Sequence, residues 1–152
     1  MALEADETVV LPGLSEEVHV VYDGFGVPHI YAQNERDMFF MQGYQHALQR
    51  WPQLELGRRT AAGTLSWMAG GADPGTVEED KRLRILGVPA AGRGEWKIAE
   101  EQDGRAAATV RAYTAGVNRF LTQWKNGDKS LAVGTELLFD RDVVQDWELK
   151  TA

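Results

Sequence analysis

Residues 18–63 read VHVVYDGFGVPHIYAQNERDMFFMQGYQHALQRWPQLELGRRTAAG, and the fold is decided in this stretch. Val18-His19-Val20-Val21-Tyr22 carries the β-branched and aromatic residues that favour an extended chain. Asp23-Gly24-Phe25-Gly26 supplies turn chemistry, because glycine takes positive φ without a Cβ clash. Pro28 fixes its own φ and biases Val27 towards the β region, so His29-Ile30-Tyr31-Ala32 leaves the turn extended and a short hairpin is predicted. Asn34 is placed as an N-cap, with Glu35 and Asp37 where negative charge suits a helix start. Phe40, Tyr44, Ala47, Trp51 and Leu54 then recur at steps of three and four, and Phe39, Met41, Leu48 and Leu56 widen that face. Pro52 lacks an N–H and clashes with the carbonyl four residues back, which predicts a kink near Arg50–Trp51. Gly63 closes the helix.

Beyond it, Thr64 to Ala69 reads as one or two helical turns and the Gly-, Asp- and Pro-rich run to Gly75 as a loop. Thr76-Val77-Glu78-Glu79 has the capping-box form, opening a helix with Leu83, Leu86 and Val77 inward that Gly87-Val88-Pro89 stops. Ala90 to Asp103 is ambiguous, with helix expected from Glu95. A last helix places Val110, Tyr113, Val117, Phe120, Leu121 and Trp124 on one face, Gly116 permits close approach of a neighbour, and Asn126-Gly127 ends it. The tail from Lys129 shows only a strand-like Leu137-Leu138-Phe139. The chain thus divides into an arm (1–17), hairpin and helices (18–128) and a tail (129–152), with no internal repeat.

The 152 residues suit one domain or one subunit of a larger one, and a hydrophobic fraction of 43% suffices for a core. A net charge of −7 argues against a nucleic-acid surface or a polybasic membrane anchor. No apolar run approaches the roughly 20 residues of a membrane helix. The acidic start Met-Ala-Leu-Glu-Ala-Asp-Glu lacks the pattern of a signal peptide, which is either absent or removed. Zero cysteines exclude disulfides and thiol chemistry. A lone hairpin carrying apolar helix faces cannot make its own sheet, so the chain reads as half of something.

The string Gly26-Val27-Pro28-His29-Ile30-Tyr31-Ala32, followed by Gln42-Gly43-Tyr44, His46-Ala47, Arg50, Gln53, Glu55, Arg58-Arg59 and Gly63, resembles the α-chain opening of the penicillin acylase family of N-terminal-nucleophile hydrolases. Asp80, Arg84, the run Tyr113 to Asn118 and Trp147 continue it. The resemblance implies an α+β fold class, a mostly helical α-subunit whose hairpin helps complete a four-layer αββα fold with a separate, larger β-chain from the same precursor. It also implies hydrolysis of a linear N-acyl amide of a small molecule, through an acyl-enzyme on the serine that begins the β-chain, whose own α-amino group is the base. It further implies export to the periplasm or secretion. Met1 is not such a nucleophile, so catalysis by this chain alone is expected to be nil.

In the family the α-chain supplies part of the acyl pocket and one calcium-binding carboxylate after a Trp-x-x-x-Asp landmark. Trp147 matches that landmark, but Thr151 stands where the aspartate is usual. No metal ligand or cofactor is therefore carried over to this chain, and calcium belongs to the full heterodimer. Gln49 replaces a usual aspartate and Trp67 a usual glutamate.

Among individual residues, Tyr44 is the one substrate-binding candidate, against a core tyrosine with a satisfied hydroxyl. His29, Tyr31, Arg50, Glu55, Arg58 and Arg59 are expected at the subunit interface or in the scaffold, the charged four either as ion pairs with the β-chain or as a solvated face. His19, His29 and His46 fit no ligand spacing. Asp80 and Arg84, at i and i+4, are expected to pair. The reading from a different class is a non-catalytic binding or scaffold module that kept the α-chain shape.

Overall fold

The computed structural model describes residues 9–68, 74–131, 135, 139–141 and 144–149. Among them the chain is mostly helical, with one two-stranded antiparallel hairpin. Strands β1 (Val18–Tyr22) and β2 (Pro28–Ala32) pair in the register Val18↔Ala32 to Tyr22↔Pro28. Asp23 organises the turn, its Oδ1 accepting from the N–H groups of Phe25 and Val27, each at 2.9 Å. Of the two turn glycines only Gly26 takes a positive φ, 77°.

Helix α1 (Glu35–Ala62) starts on Asn34, whose side chain accepts from the Asp37 N–H, and ends on Gly63 at φ 62°. It bends where predicted. Arg50 leaves helical geometry at φ −139°, ψ 21°, two residues before Pro52. The inward face changes character at the bend. Phe40, Met41, Tyr44 and Ala47 are buried before it, whereas Trp51, Glu55 and Arg59 are buried after it. Leu54 is only partly buried, and Leu56, expected to widen the apolar face, is exposed.

Helices α2 (Leu65–Met68), α3 (Pro74–Ile85), α4 (Val88–Gln102) and α5 (Gly104–Asn126) follow. Two boundaries correct the sequence reading. Helix α3 already begins at Pro74, so the capping-box residues Thr76 to Glu79 lie inside it rather than at its start. The Gly87-Val88-Pro89 break ends α3 yet opens α4 at once, since Pro89 occupies the first turn, where its missing N–H costs nothing. Leu86 points to solvent at 63% exposure, and Val110 on α5 is also exposed; neither joins the core. Leu137 and Leu138 of the expected strand lie outside the described residues; Phe139 is buried and in no strand.

The centre of the molecule is α1 packed on α5, and two glycines set their separation. A Cβ on Gly43 would lie 2.1 Å from the carbonyl oxygen of Tyr113, and one on Gly116 would lie 1.9 Å from that of Phe40. The backbones meet with no side chain between them. Trp51, Val117, Phe120, Leu121 and Trp124 fill the core around this crossing, with Leu131, Phe139 and Val144 closing it from the tail. Tyr44 and Phe120 meet edge to face at 6.3 Å.

Candidate functional site

Three buried carboxylates hold the peripheral segments to this centre. Asp37 has no exposed surface and gathers the arm: Ser15 donates from its N–H and from Oγ (2.7 Å), Glu16 from its N–H (2.8 Å) and Asn34 from Nδ2 (2.9 Å). Burial raises its pKa, but these donors outweigh burial and hold the carboxyl at about 2. Asp80 accepts from the N–H groups of Leu65 and Ser66 and from Ser66 Oγ at 2.6 Å, so α3 caps the start of α2. The expected Asp80–Arg84 pair is thereby reduced to attraction at a distance: Arg84 Nε donates to the Gly63 carbonyl at 2.8 Å, and its charge still helps to lower the Asp80 pKa. The cap geometry makes Asp80 worth more to the α2 N–H groups than to a guanidinium one turn away on its own helix.

Glu55 is the third. It is 1% exposed, below the bend of α1, and three donors converge on it. Arg58 binds through Nε and Nη2 at 2.8 and 2.6 Å, Arg59 through Nε at 2.7 Å and the Trp147 indole through Nε1 at 3.1 Å. Burial pushes the Glu55 carboxyl up, but Arg58, Trp147 and Arg59 together hold it below the ordinary range. Arg59, 8% exposed, also lies 4.0 Å over the ring of Trp67 and ties α2 to α1.

Trp147 is the centre of the tail's dock. Asn118 on α5 grips its backbone on both sides, accepting from the N–H at 2.8 Å and donating to the carbonyl at 2.9 Å. Its ring lies 5.8 Å from that of Trp51, tilted by 47°. Residues 144–149 thus run along α5 and, with α4, wall a cleft of about 330 Å³ lined by Trp96, Arg111, Thr114, Asn118, Trp147 and Leu149. The Arg111 guanidinium meets Glu100 across it at 2.6 Å and lies over the ring of Trp96.

The expected site residues therefore fall into separate places. Glu55, Arg58 and Arg59 come together, paired within this chain; Glu55 and Arg59 are not part of a solvated face. Arg50, at the bend, is exposed and makes no hydrogen bond or ion pair among the described residues. His29 and Tyr31 lie on the hairpin, His29 Nε2 3.4 Å from Asp23 Oδ2 and Tyr31 57% exposed. Tyr44 is buried, its hydroxyl donating to Gln123 Oε1 at 2.7 Å. Sequence reasoning missed Asp37, Asn118 and Gln123 as partners. Only the presence of Asn118 in a family string singled it out, since its partner lies 29 residues away.

This constellation binds and positions; it has no nucleophile paired with a base. His29 and His46 contact Asp23 and Tyr113, His19 lies 3.8 Å from Glu17, and among the described residues none bonds to a serine or threonine hydroxyl. Among the described residues no group of three or more His, Asp or Glu side chains could hold a metal ion. The buried carboxylates do not fit calcium either, since their oxygens are committed to the donors above. No described helix is long and apolar enough to cross a membrane.

Comparison with known proteins identifies this scaffold. The penicillin amidase family model matches residues 17–150, and the chain belongs to that family. The penicillin acylase 2 proenzyme of Pseudomonas sp. (strain SE83) is 40% identical over 112 residues, 73% of this chain and 14% of that protein. Penicillin G acylase of Escherichia coli is 30% identical over 125 residues, 80% of this chain and 14% of its own length. The acyl-homoserine lactone acylase QuiP of Pseudomonas aeruginosa is 28% identical, covering 76% of this chain and 13% of that protein. The thermostable penicillin G acylase of Alcaligenes faecalis shares the fold, with a TM-score of 0.65 at 24% identity over 83% of this chain and 60% of the solved chain. This chain thus spans about one seventh of the length of the curated relatives it matches.

Proposed function

We propose that this chain is the α-subunit of an amidohydrolase that cleaves a linear N-acyl amide and releases an acyl group and an amine. The observation that carries the reading is the family match: the penicillin amidase model covers residues 17–150, and the relatives this stretch resembles are acylases. The same stretch covers 60% of a solved acylase chain but 14% of an acylase proenzyme, so the solved chain is much the shorter of the two, which supports a separate subunit. The nucleophile is assigned to the N-terminal serine of a larger β-chain, its α-amino group serving as base through a water and the acyl-enzyme being hydrolysed in a second step. The part of this chain is scaffold: Glu55, Asn118 and Trp147 fix the tail against α1 and α5, and Tyr44 acts through the core. Calcium, if the holoenzyme takes it, is bound by residues other than these. A periplasmic or secreted location is proposed from the family resemblance alone.

The test is intact mass, under denaturing conditions, of the protein purified from its source. A second, larger chain beginning with Ser, Thr or Cys is expected. A preparation that hydrolyses no N-acyl amide and contains no such chain would remove the enzyme reading and leave the non-catalytic module.

A further inference from the structure

The acceptor capacity of Glu55 is fully used. Its Oε1 takes Arg58 Nη2 at 2.6 Å and Arg59 Nε at 2.7 Å, and its Oε2 takes Arg58 Nε at 2.8 Å and Trp147 Nε1 at 3.1 Å. A carboxylate has about four acceptor sites, so no further donor fits. Three of the four bonds come from α1 itself, and the fourth is brought by the tail.

One turn earlier on the same helix, Trp51 carries a donor with no acceptor. Trp51 has no exposed surface, and its Nε1 is buried without a hydrogen-bond partner among the described residues. A buried N–H left unpaired is costly, and native structures keep few of them. Trp51 and Glu55, at i and i+4 beyond the bend at Arg50, share a face of α1. Trp147 touches both, its ring against Trp51 at 5.8 Å and its indole N–H on Glu55. The unpaired donor and the filled acceptor therefore meet at one tail residue. Helix α5 holds the same segment through Asn118 and through Lys125, which pairs with Asp146 at 2.6 Å near the surface, a kind of contact that water replaces at little cost.

We propose that residues 144–149 form a strap with a seated and a lifted position, and that Trp51 is the donor that replaces Trp147 on Glu55 when the strap lifts. Lifting frees one acceptor site on Oε2 and removes the ring that lies against Trp51, whose indole then turns to fill the site. In the seated position the Trp51 N–H goes without an acceptor; in the lifted one Trp147 takes its N–H to water. The buried carboxylate keeps four bonds in both, which makes the strap reversible. The cleft that Trp147 and Leu149 wall against α4 and α5 exists only in the seated position. The exchange is internal to this chain and does not depend on the subunit reading.

The experiment is a crystal structure of Trp147→Ala, with the protein produced in its source and purified with whatever chains accompany it. Trp51 Nε1 is expected within about 3 Å of a Glu55 oxygen. A Trp51 ring in its present orientation with Nε1 still unpaired, or a water or another side chain in the freed site, overturns the exchange. Should Trp147→Ala fail to fold, Asn118→Ala carries the test, because it keeps every indole and loosens only the grip on the Trp147 backbone. Its indole N–H signals are followed by nuclear magnetic resonance, with Trp51 and Trp147 assigned from Trp51→Phe and Trp147→Phe. The Trp147 indole proton should exchange with solvent about tenfold faster, and the Trp51 indole proton should move downfield as a newly bonded N–H does. Faster exchange at Trp147 with Trp51 unshifted overturns the substitute donor. No change at either indole overturns the strap.

Discussion

At the scale of single residues, the fold depends on polar side chains placed where a hydrophobic periodicity would put leucine. Asp37 is the clearest case. Its carboxyl sits near 2 in the folded chain, below the ordinary aspartate value of 3.8. A depressed carboxylate contributes stability that is complete above the unfolded pKa and is lost as pH falls through the folded one. The loss should therefore be confined to pH about 4 down to about 2. It is worth about 1–2 kcal/mol once screening near the exposed Ser15 and Glu16 is allowed for. Glu55 and Asp80 are also depressed and add with the same sign. Urea midpoints measured from pH 5 to pH 2 should fall less steeply in Asp37→Asn than in the wild type. Parallel curves would show that the arm is not held through this charge.

Glu55 makes a stronger claim. Glu55→Gln leaves the buried Arg59 without a counter-charge and should cost about 3 kcal/mol. Trp147→Phe, which removes only the indole donor, should cost about 1–2 kcal/mol. A double-mutant cycle should return a coupling near 1 kcal/mol, and zero coupling would mean that the tail docks without Glu55.

At the scale of elements, the α1–α5 crossing should respond sharply to one added methyl group. Gly116→Ala forces a Cβ against the backbone of α1 and should cost about 3 kcal/mol or more. Gly57→Ala, on the same helix as Gly43 but with nothing within 4 Å, should stabilise by about 0.5–1 kcal/mol. Thermal melts of the two variants that moved together would refute the packing argument. The contrast also shows what could be read in advance. The hairpin, the kink, both ends of α1 and the end of α5 were legible because turn residues, Pro52 and capping groups act over a few residues, whereas the starts of α3 and α4 were not. Gly116 was legible as a site of close approach. The partners of Asp80 were not: the i, i+4 rule favours Arg84, but an unsatisfied helix start fifteen residues back competes for the same carboxylate and wins. Leu56 and Leu86 failed for another reason. Periodicity assumes one straight helix facing one core, whereas α1 bends at Arg50 and α3 ends against solvent.

For the whole molecule, the described residues leave apolar surface that this chain does not itself cover, at Phe25, Ile85 and Leu86. Expressed alone, the chain should bind a hydrophobic dye or aggregate, and on the subunit reading proposed above it should lose that behaviour when produced with the larger chain. A soluble, sharply melting, dye-negative monomer would favour the non-catalytic module instead. The family was visible in the order of the short strings, and the structure gives several of those strings a physical purpose. Gly43 allows the helices to touch, Glu55 and Arg59 hold the tail and α2, and Asn118 grips Trp147. The substrate could not be read, because the described residues contain no reacting pair of groups whose surroundings would define one.

The tilted contact of Trp51 with Trp147 has an optical consequence. Two indoles with centroids 5.8 Å apart and planes at 47° have mixed electronic transitions, and such a pair gives a paired positive and negative band in far-ultraviolet circular dichroism. Trp51 belongs to the rigid core and Trp147 to the docked tail, so the couplet exists only while the tail is seated. The protein thus carries its own label-free spectroscopic gauge of whether the segment around Trp147 is in place, readable in every variant described above that keeps both indoles.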